Sequence, residues 1–181
     1  VSVEAGNHDI PYYWEPITRV RRTFARYDVL REAVHRDLAV DGAALVSLRT
    51  IASAQWRLNL SKGLVRPAAL SRTLDGLAGA SAAGLRLVAC HHPLVDANTR
   101  SSGSTRGGKR ALAALAQAGA HAVLSGHVHD CFDLTVETSG GPIRMIGAGT
   151  LSQRLRATRP SYNRLEWSAA TGLSVTPRSM R

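Results

Sequence analysis

A chain of 181 residues can bury one full core and is short for two domains. Its 44% apolar and 20% charged residues form an ordinary globular balance, and no apolar run reaches the ~20 residues a membrane-spanning helix needs. The formal net charge of +10 is carried almost wholly by arginine, with Lys62 and Lys109 the only lysines. Such a surplus suits nucleic acid, an anionic membrane face or a phosphate substrate, and equally a solvated basic face. The densest cluster is Arg19, Arg21 and Arg22, with Arg26 and Arg31 beyond, and no nucleic-acid module accompanies it.

In chain order, Val1 to Ala5 alternates like a strand and breaks into the polar loop Gly6-Asn7-His8-Asp9. Tyr12, Tyr13 and Trp14 sit in a proline-flanked loop that reads as packed rather than membrane-seeking. Thr18 is placed to cap a helix through about Tyr27, with Val20, Phe24 and Tyr27 on one side. Asp41-Gly42 between Leu38–Val40 and Ala43–Leu48 signals a hairpin. Trp56, Leu58 and Leu60 alternate only weakly. Pro67 opens a helix carrying Leu70, Leu74 and Leu77 as far as Gly79. Leu85 to Cys90 reads as a buried strand ending in His91-His92-Pro93. Asn98 to Gly108 reads as a mobile surface loop without core residues. Lys109 to Ala118 is a helix stopped by Gly119.

His121 to Ser125 is a further strand, which runs into Gly126-His127-Val128-His129. Phe132–Glu137 with Ile143–Ile146, and Tyr162–Trp167 with Leu173–Thr176, read as two hairpins. Alternating β and α elements followed by a run of strands predict a layered α/β fold with a partly mixed sheet. Cys90 and Cys131 are too few for a disulfide scaffold and read as buried free thiols, which makes the reducing cytoplasm the expected location.

Three strands thus end in groups able to bind a metal: Asn7-His8-Asp9, His91-His92, and His127 with His129. Ligand sites of open α/β sheets gather at the carboxyl ends of strands. In an extended segment His127 and His129 would point the same way, and neutral imidazole suits zinc, iron or manganese.

With Gly6-Asn7-His8-Asp9, His91 of the strand-His-His-Pro and Gly126-His127-Val128-His129 in this order, the chain resembles the calcineurin-like metallophosphoesterases. It is most similar to their bacterial branch of cyclic-AMP phosphodiesterase-like hydrolases. Ala148-Gly149-Thr150, with Ser152, Arg154 and Ser161-Tyr162-Asn163, resembles that branch's closing segment. The resemblance implies a four-layer α/β/β/α sandwich and a binuclear centre of manganese, iron or zinc. It further implies that Asn7, His91 and His127 bind one metal and His129 the other, with His91 the better candidate than His92. His8 would be the catalytic, non-ligand histidine and Asp9 would orient it. The implied reaction is hydrolysis of a phosphomonoester or phosphodiester, such as a cyclic nucleotide, by metal-activated hydroxide. Arg154 would either hold a phosphate or be a surface arginine.

The family's upstream Asp-x-His and Gly-Asp-x-x-Asp-like motifs have no counterpart here. Asp28, Asp37 and Asp41 come in the wrong order to replace them. The chain 1–181 is therefore expected to be the C-terminal major part of one metallophosphoesterase domain. It should hold one metal or none by itself and leave a sheet edge exposed at its incomplete N-terminal side. The alternatives are a second chain that carries the missing half, or a truncated, non-catalytic relative that binds nucleic acid or an acidic partner through its arginines.

Overall fold

Five short strands make the central sheet: Ala43–Ser47 (β1), Leu85–Cys90 (β2), Ala122–Ser125 (β3), Phe132–Val136 (β4) and Ile143–Gly147 (β5). Their order is β1-β2-β3-β5-β4, parallel throughout except for β4, which runs antiparallel to β5 at one edge. The structure is a computed structural model and describes residues 2–11, 15–36, 40–52, 61–99, 105–151 and 159–180. β2 sits between β1 and β3 and five of its six residues are buried, as expected of a parallel strand covered on both faces.

The helices Pro67–Gly79 (α3) and Gly108–Gln117 (α4) cover one face. Pro67 starts α3 because its missing N–H and fixed φ suit a first helical turn. Leu70 and Leu77 of α3 join Leu112 and Leu115 of α4 over Val88, Cys90, Val123 and Met145. Each fully buried leucine contributes roughly 1.5–3 kcal/mol. The opposite face is covered by the hairpin Ser161–Ser168 (β6) and Gly172–Ser179 (β7). Its Leu165, Trp167, Leu173 and Val175 pack on Leu85, Leu87, Ala122 and Ile146. The α/β class and mixed sheet expected from the sequence are thus present. Among the described residues no helix is long and apolar enough to cross a membrane.

Several boundaries differ from the sequence reading. Residues 2–6 belong to no strand; Val3 and Ala5 instead pack with Ile10, Phe24, Tyr27 and Ile51, and the Tyr27 hydroxyl donates to the Val3 carbonyl at 2.8 Å. The expected helix over 18–27 is broken into Pro16–Arg21 (α1) and Ala25–Val34 (α2). Thr18 is not a cap: α1 begins at Pro16, and the chain turns at residues 22–24, which carries Tyr27 into that small core. The Asp41-Gly42 turn leads β1 into parallel pairing with β2, not into a hairpin; residues 37–39 lie outside the described residues. The end of the 98–108 loop is anchored rather than superficial, because Thr105 is buried and donates to the Pro93 carbonyl at 2.7 Å. Cys131 is only half-buried, its sulfur 3.4 Å from the Ser161 hydroxyl.

Candidate metal centre

The carboxyl ends of β2 and β3 carry the histidines to one place. Cys90 pairs with Ser125 at the end of the ladder, and the Gly126 N–H donates to the His91 carbonyl at 3.1 Å. This ties the start of the Gly126–His129 turn to the residue that leaves β2. The loop 6–9 arrives from the other side, closed by two bonds between Gly6 and Asp9. The Gly6 N–H donates to Asp9 Oδ2 at 2.7 Å, and the Asp9 N–H donates to the Gly6 carbonyl at 3.1 Å. A side chain at Gly6 would put its Cβ 3.0 Å from His91 Cε1, so the close approach of this loop favours glycine.

Three lone-pair atoms then converge. Asn7 Oδ1 lies 2.8 Å and His127 Nδ1 lies 3.1 Å from His91 Nε2. Nitrogen ligands sit about 2.0–2.1 Å from a zinc ion, which places tetrahedral ligands roughly 3.3 Å apart. The two observed separations are somewhat shorter than that edge, as for atoms that would move apart slightly to admit an ion. A single Nε2–H on His91 cannot serve both neighbours fully, whereas a cation among the three would satisfy all of them. Burial, reinforced by repulsion from His92, His127, His8 and His129, pushes His91 down to about 3. His91 is therefore neutral near pH 7, the form a metal needs.

His92 also lies in this cluster, its ring centroid 4.7 Å from that of His91 and 4.4 Å from that of His127. Its nitrogens point to a structural task. The Ser61 carbonyl, 2.7 Å from Nε2, can only accept, so Nε2 carries the proton. Nδ1 then accepts from the Thr50 hydroxyl at 3.0 Å, and Thr50 Oγ1 in turn accepts the His92 backbone N–H at 3.1 Å. With both ring nitrogens engaged, His92 supports the cluster and offers no free lone pair to an ion. Its burial lowers its basicity as well, which keeps it neutral.

The loop after β3 differs from the extended segment expected. His127 and His129 both adopt positive φ, +68° and +62°, and Val128 between them is buried. The Val128 N–H donates to the Gly126 carbonyl at 2.8 Å, a tight turn rather than a strand. Such conformations cost of order 1–3 kcal/mol at non-glycine residues and collect at functional sites. The turn brings His127 to His91. His129 lies near enough to oppose a charge on His91, but its ring nitrogens are outside the converging set.

His8 is exposed at the tip of its loop, and Asp9 spends Oδ2 on the Gly6 backbone instead of on the His8 ring. Among the described residues no carboxylate joins the converging atoms. Cys90 is no alternative ligand: burial pushes its thiol far above the ordinary range, and its S–H donates to the His92 carbonyl at 3.2 Å.

A scan against protein-family models returns no match for this chain, and a search of curated proteins returns none. The site thus rests on its own geometry. Ser152 and Arg154 lie outside the described residues. The rest of the closing segment has a structural task, since the Ser161 N–H donates to the Thr150 carbonyl at 2.9 Å and Asn163 Nδ2 donates to the Gly147 carbonyl at 2.9 Å. Thr50, the partner of His92, carried no sequence signal; its role depends on β1 and β2 being neighbours.

Proposed function

We propose that this chain is a metal-dependent phosphohydrolase of the metallophosphoesterase type, built on a four-layer α/β/β/α plan and acting on a small phosphate ester such as a cyclic nucleotide. The observation that carries the reading is the meeting of Asn7 Oδ1, His91 Nε2 and His127 Nδ1 at separations of 2.8 and 3.1 Å. These residues fit one divalent cation with three neutral ligands. They do not fit two: His129 alone stands for a second ion, and no carboxylate among the described residues offsets the charge.

When bound, a divalent cation supplies Lewis-acid polarisation of a phosphoryl oxygen and lowers the pKa of water. The chain's own groups do the rest. Asn7, His91 and His127 fix the position of the phosphate relative to the sheet. His92, held by Thr50 and Ser61, keeps the His91 and His127 rings in place. His8 is exposed beside the cluster, where its imidazole can reach a departing alkoxide to hand it a proton. Asp9 holds the loop that presents it.

The test is metal content after manganese or zinc loading, paired with turnover of a nitrophenyl phosphodiester. Bound metal, metal-dependent turnover and a loss of about 10²–10⁴-fold in His8→Ala are expected. No bound metal and no turnover, with steeply salt-dependent association with polyanions, would replace the hydrolase by a binding module.

A further inference from the structure

A second polar feature lies on the same rim of the sheet and is not used by the histidine cluster. Ser47 and Arg49, at the end of β1, face Ala69 and Arg72 of α3 across a cavity of about 400 Å³. The β1 and β2 registers run on beyond the strands, since the Leu48 N–H donates to the Ala89 carbonyl at 2.8 Å and Thr50 bonds His92. Arg49 therefore lies just beyond the last paired residues of β1 and β2, at the end of the sheet that carries His91.

The two guanidinium groups are available. Arg49 lies over the Phe24 ring, 4.0 Å from its centroid, a contact that restrains the group without taking up its N–H donors. Among the described residues neither Arg49 nor Arg72 forms an ion pair. Glu4 is the carboxylate at the border of the cavity and accepts the Ser47 hydroxyl at 2.6 Å, while Arg31 and Arg49 both act on it. The local balance thus remains positive, and a pair of guanidinium forks matches a tetrahedral oxyanion.

We propose that this cavity is a phosphate-binding subsite for a second phosphate group of the substrate, so that the substrate class is a bisphosphorylated small molecule. The assignment of the second phosphate to the substrate rests on the phosphohydrolase reading; the binding of phosphate by Arg49 and Arg72 does not. One phosphate would lie at the histidine cluster and the other between the arginines.

The experiment is titration of the full chain with inorganic phosphate in the presence of a chelator, followed by phosphorus NMR. Saturable binding is expected that persists in His91→Ala/His127→Ala. It should weaken at least about tenfold, close to 1.4 kcal/mol, in Arg49→Gln/Arg72→Gln. Arg110→Gln/Arg178→Gln removes the same charge from exposed sites elsewhere and should bind as the parent does. If the glutamine pair does not fold, Arg49→Lys/Arg72→Lys keeps the charge but loses the fork, and is expected to bind several-fold more weakly. Undiminished binding in the folded Arg49 and Arg72 variants, or equal weakening in the Arg110 and Arg178 pair, overturns the subsite whatever the turnover assay shows. Arginine-dependent binding without metal-dependent turnover counts for the subsite and against the hydrolase.

Discussion

His91 Nε2 and His127 Nδ1 lie 3.1 Å apart, with Asn7 Oδ1 a further 2.8 Å from the same His91 nitrogen. Two imidazole lone pairs cannot face each other at that distance unless a proton or a cation lies between them. The one Nε2–H of a neutral His91 can bridge fully to only one of its two neighbours, whereas a cation takes the lone pairs of all three, and burial keeps His91 in the neutral form that binds it. His91→Ala and His127→Ala are therefore expected each to weaken manganese or zinc binding by at least about a hundredfold, and a metal titration measures it. A metal that binds the parent at a hundred times its dissociation constant adds about 2.7 kcal/mol of stability, and this increment should vanish in both variants. Unchanged affinity in either one would remove that residue from the site.

His92 tests the distinction between a ligand and a support. Thr50→Val deletes the hydroxyl that donates to His92 Nδ1 and accepts the His92 N–H, leaving two buried groups unsatisfied. Chemical denaturation should show a loss of about 1–3 kcal/mol. Metal affinity should fall by about tenfold or more, because an outer-shell partner orients the rings that bind. A Thr50→Val protein that is destabilised but binds metal as the parent does would confine His92 to a purely structural part.

Acid should unfold the metal-free chain by way of these histidines. The unfolded chain takes up a proton on His91 as the pH falls through about 6.5, while the folded chain resists until about 3. Between those values the unfolded state binds more protons, so stability falls with falling pH, at up to about 1.4 kcal/mol per pH unit for one group. His92 is shifted in the same direction by burial. Glu4 works in the opposite sense: burial raises its pKa, so its contribution is present at low pH and lost as pH rises above 4.5 through its folded value. Two histidines against one carboxyl leave a net loss toward acid. Denaturation midpoints between pH 7 and 4 with a chelator present should decline, and more gently in His91→Asn. Equal slopes for the two proteins would contradict the burial of His91.

Much of the fold was legible where a periodic pattern coincided with a hard boundary. Pro67 and Gly79 bracket α3, and Leu85–Cys90 is an apolar run between Gly84 and His91, so these elements stand where the sequence places them. The break between α1 and α2 was not legible, because Phe24 and Tyr27 keep helical spacing while the turn before them is set by contacts with Val3, Ala5 and Ile51. Asn7, His91 and His127 are grouped by the resemblance of their ordered motifs to a known family; strand ends alone do not mark the set, since among the described residues no strand precedes Asn7. The left-handed turn of His127 and His129 could not be picked out, since histidine rarely adopts it without tertiary support. Nor could the Thr50 to His92 bonds, which join residues far apart in the chain.

Gly6 offers a final test that touches no candidate ligand. Its position allows the Asn7 loop to lie against His91: an added Cβ would sit 3.0 Å from His91 Cε1, 3.2 Å from Asp9 Oδ2 and 3.3 Å from His91 Nδ1. The His91 ring has little room to retreat, with His92 and His127 packed edge-on against it. Gly6→Ala is therefore expected to shift the loop by a few tenths of an ångström, stretching the 2.8 Å contact between Asn7 Oδ1 and His91 Nε2. The expected result is a modest stability loss, about 1–3 kcal/mol as for other overpacked sites, with metal affinity lowered tenfold or more. Asn7→Ala in the same background should add little further loss, because the displaced loop has already withdrawn that ligand. Full additivity of the two substitutions would mean that Asn7 acts from somewhere other than its place beside His91.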